Sequence, residues 1–502
     1  MDFLEAIKTK FYEDKNYNKA IEAGYKPLEK KQYSRYNHFR PNGPKQIFCY
    51  LPYNSLTFSF GGKVYVCSYN RDVILGEYPE NSIKEIWEGE KAMKLRRHMS
   101  HNDLEYGCRH CKFFFDKGKF SNIRPLVFDK YYNNTTADFP RVFEFEVDNK
   151  CNLECQMCNG EVSSSIRRNR DKLPPLPSPY DDNFVKQLEP YLPTLKEAKF
   201  YGGEPFMIPI YYKIWDKIRE LNPTLELFVI TNGTHWNKSI EKLVNELNFD
   251  IAISIDAPDK KTVEKIRKNV VYETLMENIV RFSEVCRRKD KYLSLSFTIQ
   301  KDNWMYLPEH INLCNSVDAY AYISYLENPK QFSILEFSKE KILEIRNSLN
   351  QFEPPRKTPK EKHNYRCFED YKQYLDRYLE NSEETRYQDY KFVAEWVEPK
   401  DTQLFEEEKT IKVRSDASRE LFLKECNSYL IENIQTVSYN MNELTEKLDK
   451  IMEQFEPENQ KKLFGMMLKT DMAKTLSDLN NTNSDDLKQL ANTILPNVVF
   501  QS

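Results

Sequence analysis

Alternating apolar and polar positions are concentrated between residues 143 and 326. FEFEVD (143–148), EAKFYG (197–202), ELFVITNG (226–233), DIAISID (250–256), LSLSFTIQ (293–300) and AYAYISYL (319–326) are short strand-like runs. Helix-period segments separate them. In WNKSIEKLVNELN, for example, Trp236, Ile240, Leu243, Val244 and Leu247 share one face. A repeated strand–helix order of this kind predicts an α/β fold. The expected core, residues 140–350, is a parallel sheet curled into a partial (β/α)6 barrel, with chemistry at the C-terminal strand ends.

The flanks read differently. Residues 1–40 form a lead segment. Across 41–125, short β-prone runs (SLTFSF, KVYVCSY) surround Gly61-Gly62 and four cysteines are scattered, which predicts a small cysteine-rich domain. QFEPPRKTPKEKHNY (351–365) opens a linker and connecting segment that extends to 402. In 403–502 helical spacing dominates, as in Leu444, Leu448, Ile451 and Phe455, so a helical C-terminal extension is expected. LPPLPSPY (173–180) reads as a semi-rigid spacer within the core.

Composition narrows the partners. The net charge is −3, from 74 basic and 77 acidic residues, which gives no electrostatic reason to expect nucleic acid or an anionic membrane. MDFLEAIKTKFYEDKNYNK lacks the apolar run of a secretion signal, and no stretch approaches a membrane span. The expected location is the cytoplasm, where thiols stay reduced. The 11 cysteines are therefore read as metal ligands, nucleophiles or core residues before disulfides.

Three of them fall in eight positions after the first strand, in CNLECQMC. Cys151, Cys155 and Cys158 can hold three corners of a [4Fe–4S] cube and leave one iron open. A partial zinc site or three buried thiols would use the same spacing. Directly after the second strand comes YGGEPF, where Gly202 and Gly203 permit close backbone approach and Glu204 can accept from an ammonium. Thr231-Asn232-Gly233 ends the third strand. Ser254 and Asp256 end the fourth, followed by Arg267.

CNLECQMC and GGEP together resemble the radical S-adenosylmethionine (radical SAM) superfamily, over about 143–330. The resemblance implies that Cys151, Cys155 and Cys158 ligate the catalytic cluster and that SAM chelates its open iron. It implies that Gly202, Gly203 and Glu204 hold the methionine amine, and that Ser254 faces the ribose or methionine end. Arg267 would meet the carboxylate, Asp256 at the fourth strand tip would belong to the cofactor-binding set, and Asn303 would supply a polar contact. The Gly-x-Ile-x-Gly signature of some members is missing from AYAYISYLEN, so adenine contacts stay unassigned.

Cys49, Cys67, Cys108 and Cys111 can close either a zinc site or a fully ligated cube. Their surroundings, with Ser-Ile-x-x-Ile-Trp and a closing C-x2-C, resemble the SPASM/twitch auxiliary module. That implies one auxiliary [4Fe–4S] cluster, placed before the barrel rather than after it. Cys286 and Cys314 are expected to be core thiols. Cys367 carries a second reading, as a hydrogen-atom donor.

The function implied is a radical SAM enzyme acting on a peptide or protein. A carbohydrate, nucleotide-sugar or other small molecule is the alternative substrate, and a non-catalytic zinc or Fe–S protein the remote one. A flavodoxin- or ferredoxin-like reductant is implied as partner.

Overall fold

The computed structural model describes residues 17–380; the helical extension expected over 403–502 lies outside the described residues. The chain forms two compact units. Among the described residues, one takes residues 17–50 and 97–133; the other takes 51–96 and 134–380. No helix among the described residues is long and apolar enough to cross a membrane.

In the first unit, helices α1 (Lys30–Phe39) and α2 (Arg109–Asp116) close on an aromatic core. Tyr36 lies 5.1 Å from Phe48 and 6.0 Å from Phe115, ring centre to ring centre. Beneath these rings Arg40 and Asp129 form a wholly buried ion pair at 3.1 Å. The guanidinium also donates to Asn37 Oδ1 and the carbonyl of Phe48. Breaking such a pair strands a charge in a medium that cannot hydrate it. Arg40→Met should therefore destabilise the protein by about 3–5 kcal/mol, read by urea denaturation. A variant within about 1 kcal/mol of the parent would show the pair to be dispensable.

The second unit holds nine strands: β1 (Ser55–Phe58), β2 (Lys63–Tyr65), β3 (Gly76–Glu77), β4 (Val142–Phe145), β5 (Glu197–Phe200), β6 (Glu226–Thr231), β7 (Asn248–Ser254), β8 (Leu293–Ile299) and β9 (Tyr320–Tyr325). Their order in the sheet is β3-β2-β1-β4-β5-β6-β7-β8-β9. From β1 through β4 to β9 neighbours run parallel; β2 and β3 attach antiparallel. The six strands expected from sequence are β4 to β9. The strand-like text of 41–125 does not stand apart from them, because Ser55–Phe58 pairs with Val142–Phe145 and extends the same sheet. The parallel pairing gives the β4 edge the ladder partner it would otherwise lack.

Alternation separates the two faces. Phe58, Phe143, Phe145 and Phe200 point to the helix side, where they meet Phe184 of α3 (Asp182–Leu188) and Tyr211 and Trp215 of α4 (Pro209–Leu221). The next residues along these strands, Thr57, Glu144 and Lys199, therefore face the inner side. The remaining crossovers run through α5 (Lys238–Glu246), α6 (Lys260–Ile266), α7 (Tyr272–Arg288) and α8 (Leu307–Ser316).

The edge at β9 is covered by α9 (Pro359–Glu380), which begins within the stretch read as linker. Asn364 Oδ1 accepts from the Ala321 amide at 2.6 Å, and the Cys367 thiol donates to the Ala321 carbonyl at 3.4 Å. Tyr374 stacks on Tyr325 at 4.2 Å. This is how an exposed strand edge is satisfied and withheld from other chains. Cys367 is thus tied to the sheet edge through the Ala321 carbonyl. Cys286 and Cys314 are buried, as expected.

Candidate functional site

The cysteine loop leaves β4 and is fastened at both flanks. Ser163 caps the short helix after it by accepting from the Ile166 amide, and its hydroxyl donates to the Leu153 carbonyl at 2.7 Å. Ser164 and Ser165 both donate to the Cys151 carbonyl. On the other flank the Glu154 and Gln156 amides bond the carbonyls of Lys268 and Ile266, at 3.0 and 2.8 Å. The loop is thereby laid against the segment that carries Arg267.

GGEP closes over the same backbone. The Gly203 amide donates to the Asp148 carbonyl at 3.1 Å and the Glu204 amide to that of Lys150 at 2.7 Å. A Cβ on Gly202 would stand 2.6 Å from Asp148 O, and one on Gly203 only 2.3 Å from Lys150 O. Gly202 also has φ +101°, in the region that glycine alone adopts without strain. The approach these glycines permit is to the chain's own cysteine loop.

Glu204 is wholly buried. Its carboxylate accepts from Thr231 Oγ1 (2.8 Å), the Asn232 amide (2.7 Å) and the Phe206 amide (3.1 Å). Burial pushes its carboxyl up to about 7, against the pull of these three donors. Asn232, fixed this way, turns its amide to within 3.9 Å of Cys151 Sγ.

Arg267 and Asp256 form a second buried pair at 2.8 Å. Arg267 Nη1 lies 3.9 Å from Cys155 Sγ. Asn303 is wholly buried and both its amide N–H groups are engaged, with the carbonyls of Asp256 and Thr298 at 2.9 Å. In this structure it positions the tip of β7 and has no N–H left for a ligand. Ser254 lies on the inner side of β7, opposite Ser296 of β8.

Burial raises all three thiols, Cys155 to about 12, with the Arg267 charge pulling the other way. The charge of each thiolate would raise the others. Among the described residues no three such side chains crowd closely enough for one metal ion. A cube asks for something else, since each thiolate binds a different iron. Metal binding takes up thiolates and releases their protons, and the nearby Arg267 and Asn232 N–H groups suit sulfur that carries negative charge. The three-cysteine set fits a cluster.

Gln156, inside the loop, donates to Gln300 Oε1 at 2.7 Å and lies 3.3 Å from Asp302 Oδ2. This bridge to the tip of β8 was not legible in sequence, because nothing in QMC or IQKDN marks the two amides as neighbours. The auxiliary cysteines divide between the units: Cys49, Cys108 and Cys111 lie in the first, Cys67 in the second. Cys49, Cys67 and Cys111 are buried, and Cys108 is half-buried.

Residues 145–314 match the model of the Radical SAM superfamily, and residues 49–112 match that of the SPASM iron–sulfur cluster-binding domain. The second match runs from Cys49 past Cys111. A GTP 3',8-cyclase of Helicobacter pylori is 24% identical over 209 residues, 41% of this chain and 62% of that protein. The tungsten-containing aldehyde ferredoxin oxidoreductase cofactor-modifying protein of Pyrococcus furiosus is 27% identical over 173 residues, 33% of this chain and 45% of that one. The chain thus spans about half to three-fifths of the curated relatives it matches. A crystal structure of Streptococcus suis SuiB bound to precursor peptide SuiA aligns with TM-score 0.33 at 16% identity, covering 52% of this chain and 62% of that one.

Proposed function

From a chain that carries a radical SAM superfamily domain and a SPASM iron–sulfur cluster-binding domain, we propose an enzyme that cleaves SAM reductively at a three-cysteine [4Fe–4S] cluster. When bound, cluster and SAM supply a 5′-deoxyadenosyl radical able to take hydrogen from an unactivated C–H. The observation that carries this reading is the placement of Cys151, Cys155 and Cys158 on one pinned loop, with Asn232 and Arg267 N–H groups turned toward two of the sulfurs.

The remaining work belongs to the chain. Gly202 and Gly203 let the second strand tip seat against the cysteine loop, and Glu204 fixes Asn232 beside Cys151. Asp256 holds Arg267 at Cys155. Glu204, Ser254 and Arg267 are the groups assigned to the amine, ribose or methionine end, and carboxylate of SAM. Cys49, Cys67, Cys108 and Cys111 are assigned to one auxiliary [4Fe–4S] cluster. A flavodoxin- or ferredoxin-like protein would supply electrons, in the cytoplasm.

Modification of a peptide or protein is the substrate reading, supported by the SPASM domain. The GTP 3',8-cyclase matches favour a nucleotide instead. Protein reconstituted without oxygen should hold about eight irons, from two cubes, and release 5′-deoxyadenosine when given SAM and a strong reductant. Zinc in their place, or no release, overturns the reading. Cys108→Ala should keep some uncoupled cleavage while product formation fails; full product formation would remove the auxiliary cluster from the reaction.

A further inference from the structure

Residues 159–173, which follow the cysteine loop, carry cations that neither the nest nor the strand tips use. Arg168, Arg170 and Lys172 are exposed. Among the described residues Arg168 bonds only the Asn169 side chain beside it, at 3.0 Å, and Lys172 meets no carboxylate. Arg170 Nε meets Asp171 at 3.1 Å, while its Nη2 donates to the Cys158 carbonyl at 2.9 Å. That second bond ties an exposed guanidinium to the backbone of a nest cysteine.

Glu154, inside CNLECQMC, extends this surface to the other flank of the loop. Its carboxylate accepts from Asn169 at 2.7 Å, Lys268 at 2.8 Å and Asn269 at 3.0 Å. The Glu154 side chain is only 8% exposed, whereas that of Lys268 is 64% exposed. One sheltered carboxylate therefore gathers three segments and leaves a cation at their rim.

Apolar side chains lie among these charges. Arg167 holds Glu161 through Nη1 at 2.8 Å and the Pro174 carbonyl through Nε, and the Leu173 amide donates to the Arg167 carbonyl at 2.9 Å. Val162, next to Glu161, and Leu173, next to Pro174, are 36% and 47% exposed. Apolar groups rimmed by Arg and Lys have the make-up of a protein–protein interface. Residues 159–172 hold four cations against two acids, in a chain whose net charge is −3. The complement of such a face is an acidic protein, steered to it by charge. A bare polyanion would use the cations and leave Val162 and Leu173 in water.

Position says what that protein brings. The groups assigned to SAM stand at the strand tips, and none of Val162, Arg168, Lys172 and Leu173 comes from one. Cys158 is half-buried and Asn159 beside it is exposed, so the cysteine loop reaches solvent at this end.

We infer that this face docks the electron donor, an acidic one-electron carrier protein whose carboxylates meet Arg168, Lys172 and Lys268 around Val162 and Leu173. The inference rests on the radical SAM reading, which requires the cluster to be reduced, and names the surface at which the electron enters. The carrier loses one electron and the cluster gains it; no bond forms or breaks.

The test uses the full-length, cluster-loaded protein and a flavodoxin of net negative charge. Binding of oxidised flavodoxin is followed by calorimetry at low ionic strength. Release of 5′-deoxyadenosine is driven separately by reduced flavodoxin and by dithionite. In Arg168→Glu/Lys172→Glu, flavodoxin affinity and the flavodoxin-driven rate below saturation should fall about tenfold or more, the deficit shrinking at high salt. Dithionite-driven release should stay within about twofold of the parent, because a small reductant needs no docking face. Arg168→Lys/Lys172→Arg keeps the charges and should behave as the parent. The inference is overturned if the parent binds no flavodoxin, if the charge-reversed variant binds it equally, or if dithionite-driven release is lost in step. Labelled single-stranded DNA that binds the parent but not the variant, and that flavodoxin does not displace, gives the face to nucleic acid and overturns it too. A parent that binds flavodoxin through these residues yet releases no 5′-deoxyadenosine with dithionite sinks the radical SAM reading and leaves the docking face standing.

Discussion

Cys155→Ala is expected to lower 5′-deoxyadenosine release more than about a hundredfold, to background. Iron should fall from about eight to about four per chain. Cys155 is the most deeply buried of the three nest thiols, and the Arg267 guanidinium is directed at its sulfur. Removing it takes one corner from the cube, and the Arg267–Asp256 pair gains no substitute anion. The buried arginine keeps its partner Asp256, so the fold should survive and the loss should be specific to the cluster. Iron content, the reduced cluster's paramagnetic signal and 5′-deoxyadenosine are measured on one preparation. Undiminished SAM cleavage by this variant would show that the nest is misassigned.

Gly203→Ala is expected to have a comparable effect without touching a ligand. The added methyl would lie 2.3 Å from Lys150 O and 2.6 Å from Asn149 C and O. These are backbone atoms and cannot rotate aside, so the 148–150 segment must move and carry Cys151 with it. Overpacking of this kind costs about 1–3 kcal/mol. Its larger consequence is geometric, because a catalytic group displaced by an ångström can cost about a hundredfold in rate. The expected result is a folded protein with about half the iron and little SAM cleavage. Parent-like iron content and activity would mean that the loop tolerates the shift, and that the two glycines serve another purpose.

Much of this architecture was legible before any coordinates. FEFEVD, EAKFYG and the four runs after them became β4 to β9, because alternation and crossover length leave few other topologies. The cysteine spacing and GGEP also led to the right strand tips. Other features were closed to sequence reading. SLTFSF has ordinary strand character, and nothing local says that it pairs parallel with β4 across more than eighty residues. PKEKHNY looked like linker because its charges hide the apolar positions by which α9 packs on β9. Asn303 is another case. Nothing local says that both its amide N–H groups hold the backbone carbonyls of Asp256 and Thr298.

The amino-acid order alone determined which strand CNLECQMC and GGEP would each follow, and that the two motifs would lie at one end of the sheet. Those properties depend on spacing and periodicity, which are local. Tertiary structure decided what each polar group faces: Glu204 turned toward Asn232, Arg267 toward Cys155, and Glu144, Lys199 and Asp250 set in one inner row. Strand alternation divides side chains into two sets, but it does not say which set the helices will cover. Only packing makes that choice, and here it left the charged set inside.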